Sequence, residues 1–382
     1  MKKESRAVIY FVLIAVCFNL LGACSKTAAA AIKERGITLD VARKFYTVEA
    51  IEGFIDLLAD YENTFLQLHL TDDQNVAIEM AAIGQTVENG IRESDKWRNP
   101  LTGQPFLSKS ELAAIVKYGN DKNVRIIPEI EAPAHMQALL EQLKNHDSNT
   151  YEKISLPKED NRQFNTIDYS KPEAIEFMQS LLSEYLPIFS HQEAPIFHIA
   201  CDEVVQLPIE TNPFIVRYAN TLNRFLVEKG FQARMWNDSV TQKDLERYDK
   251  DIQITYWSHT GELNVNAVSE KDWLGNRFLA SPEDFINASF EILNYNGYYL
   301  YFLPSDKYFE RSNYDYSIAD MERNWQLDSL YLNSLENVGS LDHIIGSSLT
   351  IWGEAAHHYS DLEVLNEVSE FITAYLNLKQ HH

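Results

Sequence analysis

The chain of 382 residues is 45% hydrophobic and 23% charged, with 14 Gly and 12 Pro, which excludes collagen-like, low-complexity and wholly disordered classes. Its 33 Lys and Arg stand against 56 Asp and Glu, a formal charge of −23, which repels phosphate backbones and anionic headgroups and argues against nucleic acid as a partner. The length suits either two ordinary domains or one large α/β barrel, which commonly runs to roughly 250 residues and grows by loop insertion.

Lys2, Lys3 and Arg6 precede an apolar run over residues 7–21 that ends in Leu21-Gly22-Ala23-Cys24. The run is short of the ~20 residues a spanning helix needs, and small residues stand just before Cys24, so it reads as an export signal. It resembles a bacterial lipobox, which implies cleavage before Cys24 and a lipid on that cysteine. The expected organisation is a signal at 1–23, a lipidated Cys24 with a short tether over 24–31, and one folded domain over 32–382. The protein is then exported and held at a bacterial membrane, in the periplasm or at the cell surface, and touches lipid through the anchor alone. Processing removes Cys17 and leaves Cys201 as the only free thiol, so no intramolecular disulfide forms. It also removes Lys2, Lys3, Arg6 and Glu4, which takes the balance to 30 basic against 55 acidic residues, or −25.

From Gly36 onward, short apolar runs alternate with helical patterns, the signature of repeated βα units around a parallel sheet. Eight strands are predicted, over residues 36–40, 64–69, 124–129, 196–200, 233–236, 253–257, 291–294 and 347–351. Helices are predicted over 48–61, over 112–118 behind a capping box at Ser108 and Glu111, from Pro172 onward, and over 214–229 with Gly230 as the stop. No repeat and no Pro/Gly/Ser-rich linker divides the chain. The fold class is therefore a single (β/α)₈ TIM barrel with inserted loops on its catalytic face.

Polar and aromatic residues fall at the ends of these strands, which a barrel of this kind gathers on one face. Asp40 and Arg43 follow the first strand, His69, Asp72 and Asp73 the second, and Glu129, Glu131 and His135 the third. Asp202 and Glu203 follow the fourth, Trp236 to Asp238 the fifth, Trp257 the sixth, Tyr295 to Tyr301 the seventh, and Trp352 and Glu354 the eighth. Adjacent carboxylates at a strand end, among acids and indoles on which a pyranose can stack, suggest acid–base work on a sugar. Two sequence neighbours seldom face each other as acid and nucleophile, so one of them acts through the substrate.

Each piece alone has a plainer reading. Asp202-Glu203 could be an N-cap and first-turn acid, any single Trp a core residue, His135 a structural histidine, Asp72-Asp73 turn chemistry and Arg43 a surface ion pair. Only the combination points to a site. His135, His198, Cys201, Asp202 and Glu203 are zinc-ligand types, but His198 and Cys201 face opposite ways on a strand and no paired ligand motif is present, so no metal or other cofactor is expected.

Several stretches carry a resemblance: Leu39-Asp40-Val41-Ala42-Arg43, His69-Leu70-Thr71-Asp72-Asp73-Gln74, Pro128-Glu129-Ile130-Glu131-Ala132-Pro133-Ala134-His135, Phe197-His198-Ile199-Ala200-Cys201-Asp202-Glu203, Met235-Trp236-Asn237-Asp238, Leu293-Asn294-Tyr295-Asn296 with Tyr298 to Tyr301, and Ile351-Trp352-Gly353-Glu354. In this order they resemble glycoside hydrolase family 20, the β-N-acetylhexosaminidases, and within it the small single-barrel enzymes that degrade biofilm. The resemblance implies retaining hydrolysis in which the sugar's own 2-acetamido oxygen is the nucleophile, an exception to the two-carboxylate scheme. It implies Glu203 as general acid and then base, Asp202 as holder of the acetamido N–H, and Tyr299 or Tyr301 as donor to the acetamido carbonyl. Asp72 and His135 would be the pair behind the general acid. Arg43, Glu354, Asp238, Trp236, Trp257 and Trp352 would bind the sugar. The implied partner is an N-acetylglucosamine-containing polysaccharide, poly-β-1,6-N-acetylglucosamine, whose partly deacetylated form is cationic and suits an acidic protein. The sequence departs from the family at Ala200-Cys201, usually Gly-Gly, and at Glu131, usually Asp. The competing expectation is thus a glycan-binding lipoprotein that kept the pocket and lost turnover through Ala200-Cys201.

Overall fold

The computed structural model describes residues 33–156, 165–204, 210–257, 278–332 and 337–378. The expected signal, Cys24 and the tether lie outside the described residues, as do residues 258–277.

Eight parallel strands close into a barrel: β1 Glu34–Asp40, β2 Thr64–His69, β3 Val124–Glu129, β4 Ile196–His198, β5 Gln232–Trp236, β6 Gln253–Tyr256, β7 Ile292–Asn294 and β8 Ile344–Ile351. They pair in sequence order, and β8 returns to β1 in parallel register from Glu34↔Gly346 to Leu39↔Ile351. Every residue of β2 is buried, as expected where helices cover one side of a parallel sheet and other strands the other. Where β1 passes β2, a Cβ on Gly36 would lie 2.1 Å from the Phe65 ring, so only glycine lets that ring into the barrel.

The helices start and stop for local reasons. In α1, Val48–Ala59, Thr47 caps the N-terminus and Ile51, Phe54, Ile55 and Leu58 form the buried stripe. The capping box at Ser108 and Glu111 starts α2, Lys109–Asp121, three residues before the apolar pattern begins. Pro172 opens α3, Pro172–Ser183. Asn212 caps α4, Pro213–Glu228, beyond which Gly230 has φ +84. A second capping box, Ser360 with Glu363, opens α5, Asp361–Leu376, whose Val364, Val368, Phe371 and Ile372 reach the same core.

Three differences from the sequence reading concern the site. β4 ends at His198, two residues early, because Ala200 and Cys201 take φ +54 and +71 and leave the ladder. Between β5 and β6 the connection holds a 3₁₀ turn, Leu245–Arg247, where a helix is usual. The segment after β2 carries its own antiparallel sheet of Ile91–Glu93, Lys96–Arg98 and Pro105–Phe106.

The barrel interior is laced with polar groups. Arg234, wholly buried, pairs with Glu34 at 2.5 Å and donates to Gln253 at 2.8 Å. Higher up, Tyr295 donates to Gln67 at 2.8 Å, and Gln67 donates to Glu129 at 2.9 Å. The run from Tyr295 through Gln67 to Glu129 leads to the C-terminal ends of the strands, and each of these three buried groups finds a partner.

Candidate active site

At the end of β1, Asp40 accepts from the Arg43 backbone N–H at 2.9 Å, its guanidinium at 3.0 Å and the Gly353 N–H at 3.0 Å. One carboxylate thus ties the ends of β1 and β8 together. A Cβ on Gly353 would come 2.7 Å from the Lys44 nitrogen, so the approach needs glycine. Arg43 also pairs with Asp72 at 2.6 Å and lies 5.2 Å from the centre of Trp352. Burial opposes its charge, but Asp40 and Asp72 outweigh burial and hold the guanidinium protonated.

Two imidazoles carry charge through the acidic wall. His69 lies 3.0 Å from Asp72 and 3.3 Å from Glu129. Burial disfavours its cation, yet Glu129 and Asp72 push it up to about 10. His135 bridges Asp73, at 3.4 Å from Nδ1, and Glu203, to which Nε2 donates at 3.0 Å. Against burial, Asp73, Glu203 and Asp202 push it up to about 11. Asp73 is itself held by the Gln137 N–H at 2.9 Å. The carboxylate behind His135 is therefore Asp73, which corrects the expected role of Asp72. In the turn after β2 the two side chains diverge, Asp72 toward His69 and Arg43, Asp73 toward His135.

The turn that carries the two adjacent carboxylates is strained. Ala200, Cys201 and Glu203 all have positive φ, at 54°, 71° and 46°, where a residue with a Cβ sits at a cost of order 1–3 kcal/mol. The turn is pinned by its surroundings: Cys201 N–H donates to Ala132 O at 3.0 Å and Glu203 N–H to Asp238 Oδ2 at 2.9 Å. The Cys201 side chain enters the hydrophobic core, and Ala200 packs with Trp236 and Tyr295. Neither side chain fills the pocket, and Asp202 and Glu203 both line it.

Beneath the pair lie further acids. The Glu131 carboxyl and Asp202 Oδ1 are buried, and no N–H or hydroxyl of another residue donates to either. Burial first, then the charges of Asp202 and Glu129, push the Glu131 carboxyl well above its usual range. Protonated, it donates to Asp202, whose own carboxyl burial raises above its usual range; His135 opposes that rise, Glu203 adds to it, and the Glu131 hydrogen bond opposes it. Asp238 is raised well above its usual range by burial and by the charges of Asp202 and Glu203. Glu129 is the opposite case: burial raises it, but His198 and His69 hold it well below the carboxylate range.

The other wall is aromatic. Trp236, 2% exposed, forms the floor and donates its indole N–H to Glu129 at 2.7 Å. Trp257 and Tyr301 stack at 6.1 Å with an 11° angle between planes, and Tyr301 meets Trp352 edge-on at 5.6 Å. Burial and then the charges of Asp202 and Asp238 raise the Tyr301 hydroxyl well above its usual range, so it stays a donor.

These walls enclose a cavity of about 300 Å³. It brings together Arg43, His135, Asp202, Glu203, Trp236, Trp257, Tyr301, Trp352 and Glu354, with Leu303 beside them. Three expected residues stand apart. Tyr299 is turned away into a neighbouring cavity, so of the two tyrosines it is Tyr301 that faces the pocket. Asp72 is buried behind Arg43, and Asp238 lies under Glu203, where it fixes the backbone and leaves the lining to others. Sequence reasoning missed Asp73 behind His135 and gave no role to His69 or Glu129. The signal for Asp73 was the doublet Asp72-Asp73 itself, in which spacing cannot say which neighbour faces which wall.

Among the described residues, two groups have ligand-type atoms within 4.8 Å of one another: His69, Glu129 and Glu131, and Asp72, Asp73 and His135. In each the surrounding acids favour the protonated imidazole, so a metal would have to displace that proton to bind.

The comparisons with known proteins agree with this geometry. The family model described as glycosyl hydrolase family 20, catalytic domain, matches residues 33–365. The crystal structure of dispersin B is similar at a TM-score of 0.82 and 32% identity, covering 91% of this chain and 100% of that one. Lacto-N-biosidase of Bifidobacterium bifidum is 22% identical over 356 residues, 88% of this chain and 27% of its own length. N,N'-diacetylchitobiase of Vibrio harveyi is 27% identical over 210 residues, 46% of this chain and 24% of its own length. The chain thus spans about a quarter of the length of these curated relatives.

Proposed function

Since the chain belongs to glycosyl hydrolase family 20, we propose that it is a retaining β-N-acetylglucosaminidase that works with help from its substrate. The observation that carries this reading is the division of labour within one turn. Glu203 faces the open pocket on a hydrogen bond from His135, while Asp202 is recessed between Glu131 and the aromatic wall.

The steps follow from these positions. A terminal sugar settles on Trp236, with Trp257, Trp352 and Tyr301 around its acetamido group and Arg43 and Glu354 at its hydroxyls. Tyr301 donates to the acetamido carbonyl and Asp202 accepts from its N–H, which turns the carbonyl oxygen toward C1. Glu203 gives its proton to the glycosidic oxygen, the C1–O bond breaks, and the acetamido oxygen bonds to C1. The positive charge of the resulting oxazolinium falls on the ring nitrogen beside Asp202, where a fixed carboxylate in a water-poor site stabilises it most. Glu203, now charged, takes a proton from water as that water attacks C1 from the side the leaving group left, and the configuration is retained.

The substrate we favour is poly-β-1,6-N-acetylglucosamine, on the motif resemblance and the charge of −23, which attracts the cationic, partly deacetylated polymer. We further place the protein outside the cytoplasm on a lipid at Cys24, on the lipobox pattern. Against the damaged-site alternative stands the packing of the Ala200 and Cys201 side chains into the core, clear of the pocket.

The test is release of 4-nitrophenol from its β-N-acetylglucosaminide by residues 24–382. Turnover that Glu203→Gln abolishes and a thiazoline mimic of the oxazolinium blocks supports the reading. Absence of turnover in the wild-type chain refutes it. Comparison of β-1,6- with β-1,4-linked oligomers then tests the polymer, and loss of detergent partitioning in Cys24→Ala tests the anchor.

A further inference from the structure

Tyr301 is a shared wall. Beyond its ring, away from the catalytic pocket, lies a second cavity of about 240 Å³ whose lining includes Tyr298, Tyr299, Tyr316, Ser317 and Asp320. The turn after β7 builds one side of it. Asn296, fully buried, accepts from the N–H groups of Tyr298 at 2.9 Å and Tyr299 at 3.2 Å, and donates to Ser329 O and Tyr331 O at 3.0 Å each. That clamp fixes where the two tyrosines stand. The helix Arg311–Asn324 builds the other side and supplies Tyr316, Ser317 and Asp320.

The chemistry of the lining is specific. Tyr299 is the buried floor and meets Tyr298 edge-on at 4.8 Å, whereas Tyr298 and Tyr316 are 45% and 65% exposed. The Tyr298 hydroxyl donates to Asp320 at 2.9 Å, and Asn324 donates to the other oxygen of that carboxylate at 2.6 Å. Among the described residues Asp320 is the one charged residue lining the cavity, and no Lys or Arg of them lines it. Exposed aromatic rings offer flat faces to the C–H face of a pyranose and to a cation. A carboxylate oriented between them adds a charge-assisted hydrogen bond to an ammonium group.

We infer that this cavity is a second carbohydrate subsite, which takes a glucosamine unit with a free ammonium group from the polymer whose acetylated end occupies the catalytic pocket. The inference rests on the proposed activity for the identity of the polymer, and on the cavity alone for the preference for an amino sugar. A neutral N-acetyl unit offers Asp320 only a weak N–H donor, so the subsite discriminates by charge. It is also where an acidic protein would grip a chain that its catalytic pocket, which needs an acetamido group, cannot hold at deacetylated units.

The experiment uses residues 24–382 carrying Glu203→Gln, so that no oligomer is consumed. Calorimetric titration compares a partly deacetylated β-1,6-linked N-acetylglucosamine oligomer with its fully acetylated counterpart, before and after adding Asp320→Asn or, separately, Tyr316→Ala. The expected result is about a 5- to 10-fold loss of affinity for the deacetylated oligomer in each variant, the size of a partly desolvated cation–π or charged contact, with the acetylated oligomer unaffected by Asp320→Asn. Equal losses for both oligomers with Asp320→Asn, or no loss for either, overturn the subsite. With Glu203 intact, turnover of the nitrophenyl substrate is expected to be unchanged by Asp320→Asn alone. A wild-type chain that fails to turn over that substrate refutes the proposed activity, while the titration still decides the subsite.

Discussion

The loops after β1 to β4 bring Arg43, His135, Asp202 and Glu203 to the pocket, with Asp72 and Asp73 behind them, whereas the ends of β5 to β8 and their loops bring Trp236, Trp257, Tyr301 and Trp352. On the first wall almost every group is charged and paired, and two acids beneath it, Glu131 and Asp238, are pushed toward their neutral forms. On the second wall the packing is ring on ring, and the one polar tip facing in, Tyr301, is a hydroxyl that does not ionise. Charge can therefore move at one wall while the other holds the sugar still. Preorganised groups of this kind need no rearrangement as the reaction proceeds, which is where most electrostatic stabilisation arises. Glu354 is the exception, an acid on the aromatic side whose carboxyl is raised by burial.

Changes at the charged wall should break this division most. Glu203→Gln is expected to lower kcat by about 10²–10⁴-fold with little effect on melting, as removal of a positioned general acid does. Asp202→Asn should cost about 10²–10³-fold, the size seen when one oriented group at developing charge is lost. Steady-state kinetics beside thermal melts check both. At the aromatic wall, Trp236→Ala should act on stability first, by about 3–5 kcal/mol, because the indole is buried and its removal leaves a cavity; denaturant titration reads it.

The pH response sharpens the contrast in a quieter way. His69 and His135, pushed up to about 10 and about 11, bind protons that the unfolded chain releases near pH 6.5. Their stabilisation is full below about pH 6.5 and is lost as pH rises through their folded values. Glu131 and Asp238, raised above their unfolded values, add loss in the same direction. Melting temperature should fall from neutral toward pH 11, and less steeply in His135→Gln, in differential scanning calorimetry. Smallest of all, Glu131→Gln keeps an N–H donor for Asp202 and should leave kcat within a few-fold of wild type, whereas Glu131→Ala should not.

The strands were legible in sequence because each apolar run is short, is bounded by turn residues and ends in polar groups. The structure reproduces residues 64–69 and 124–129 to the residue. The early end of β4 was not legible, since Ile199-Ala200 reads as strand by propensity and only tertiary pinning forces Ala200 and Cys201 to positive φ. Aromatic and charged residues at the site were readable as types at strand ends. Their pairings were not: Asp72 and Asp73 are neighbours of one type, and which one meets His135 depends on where β3 places that histidine. Tyr299 and Tyr301 posed the same problem, and the turn clamped by Asn296 resolves it by leaving Tyr301 on the catalytic pocket and Tyr299 off it.

The central claim, that Asp202 acts through the sugar's acetamido group and not as a nucleophile, is tested most directly with 4-nitrophenyl substrates bearing N-acetyl, N-fluoroacetyl, N-difluoroacetyl and N-trifluoroacetyl groups. Electron withdrawal weakens the acetamido oxygen as a nucleophile, so the account predicts a steep, continuous fall in kcat/KM along the series. A flat profile would contradict it and would hand the attack on C1 to a carboxylate of the protein.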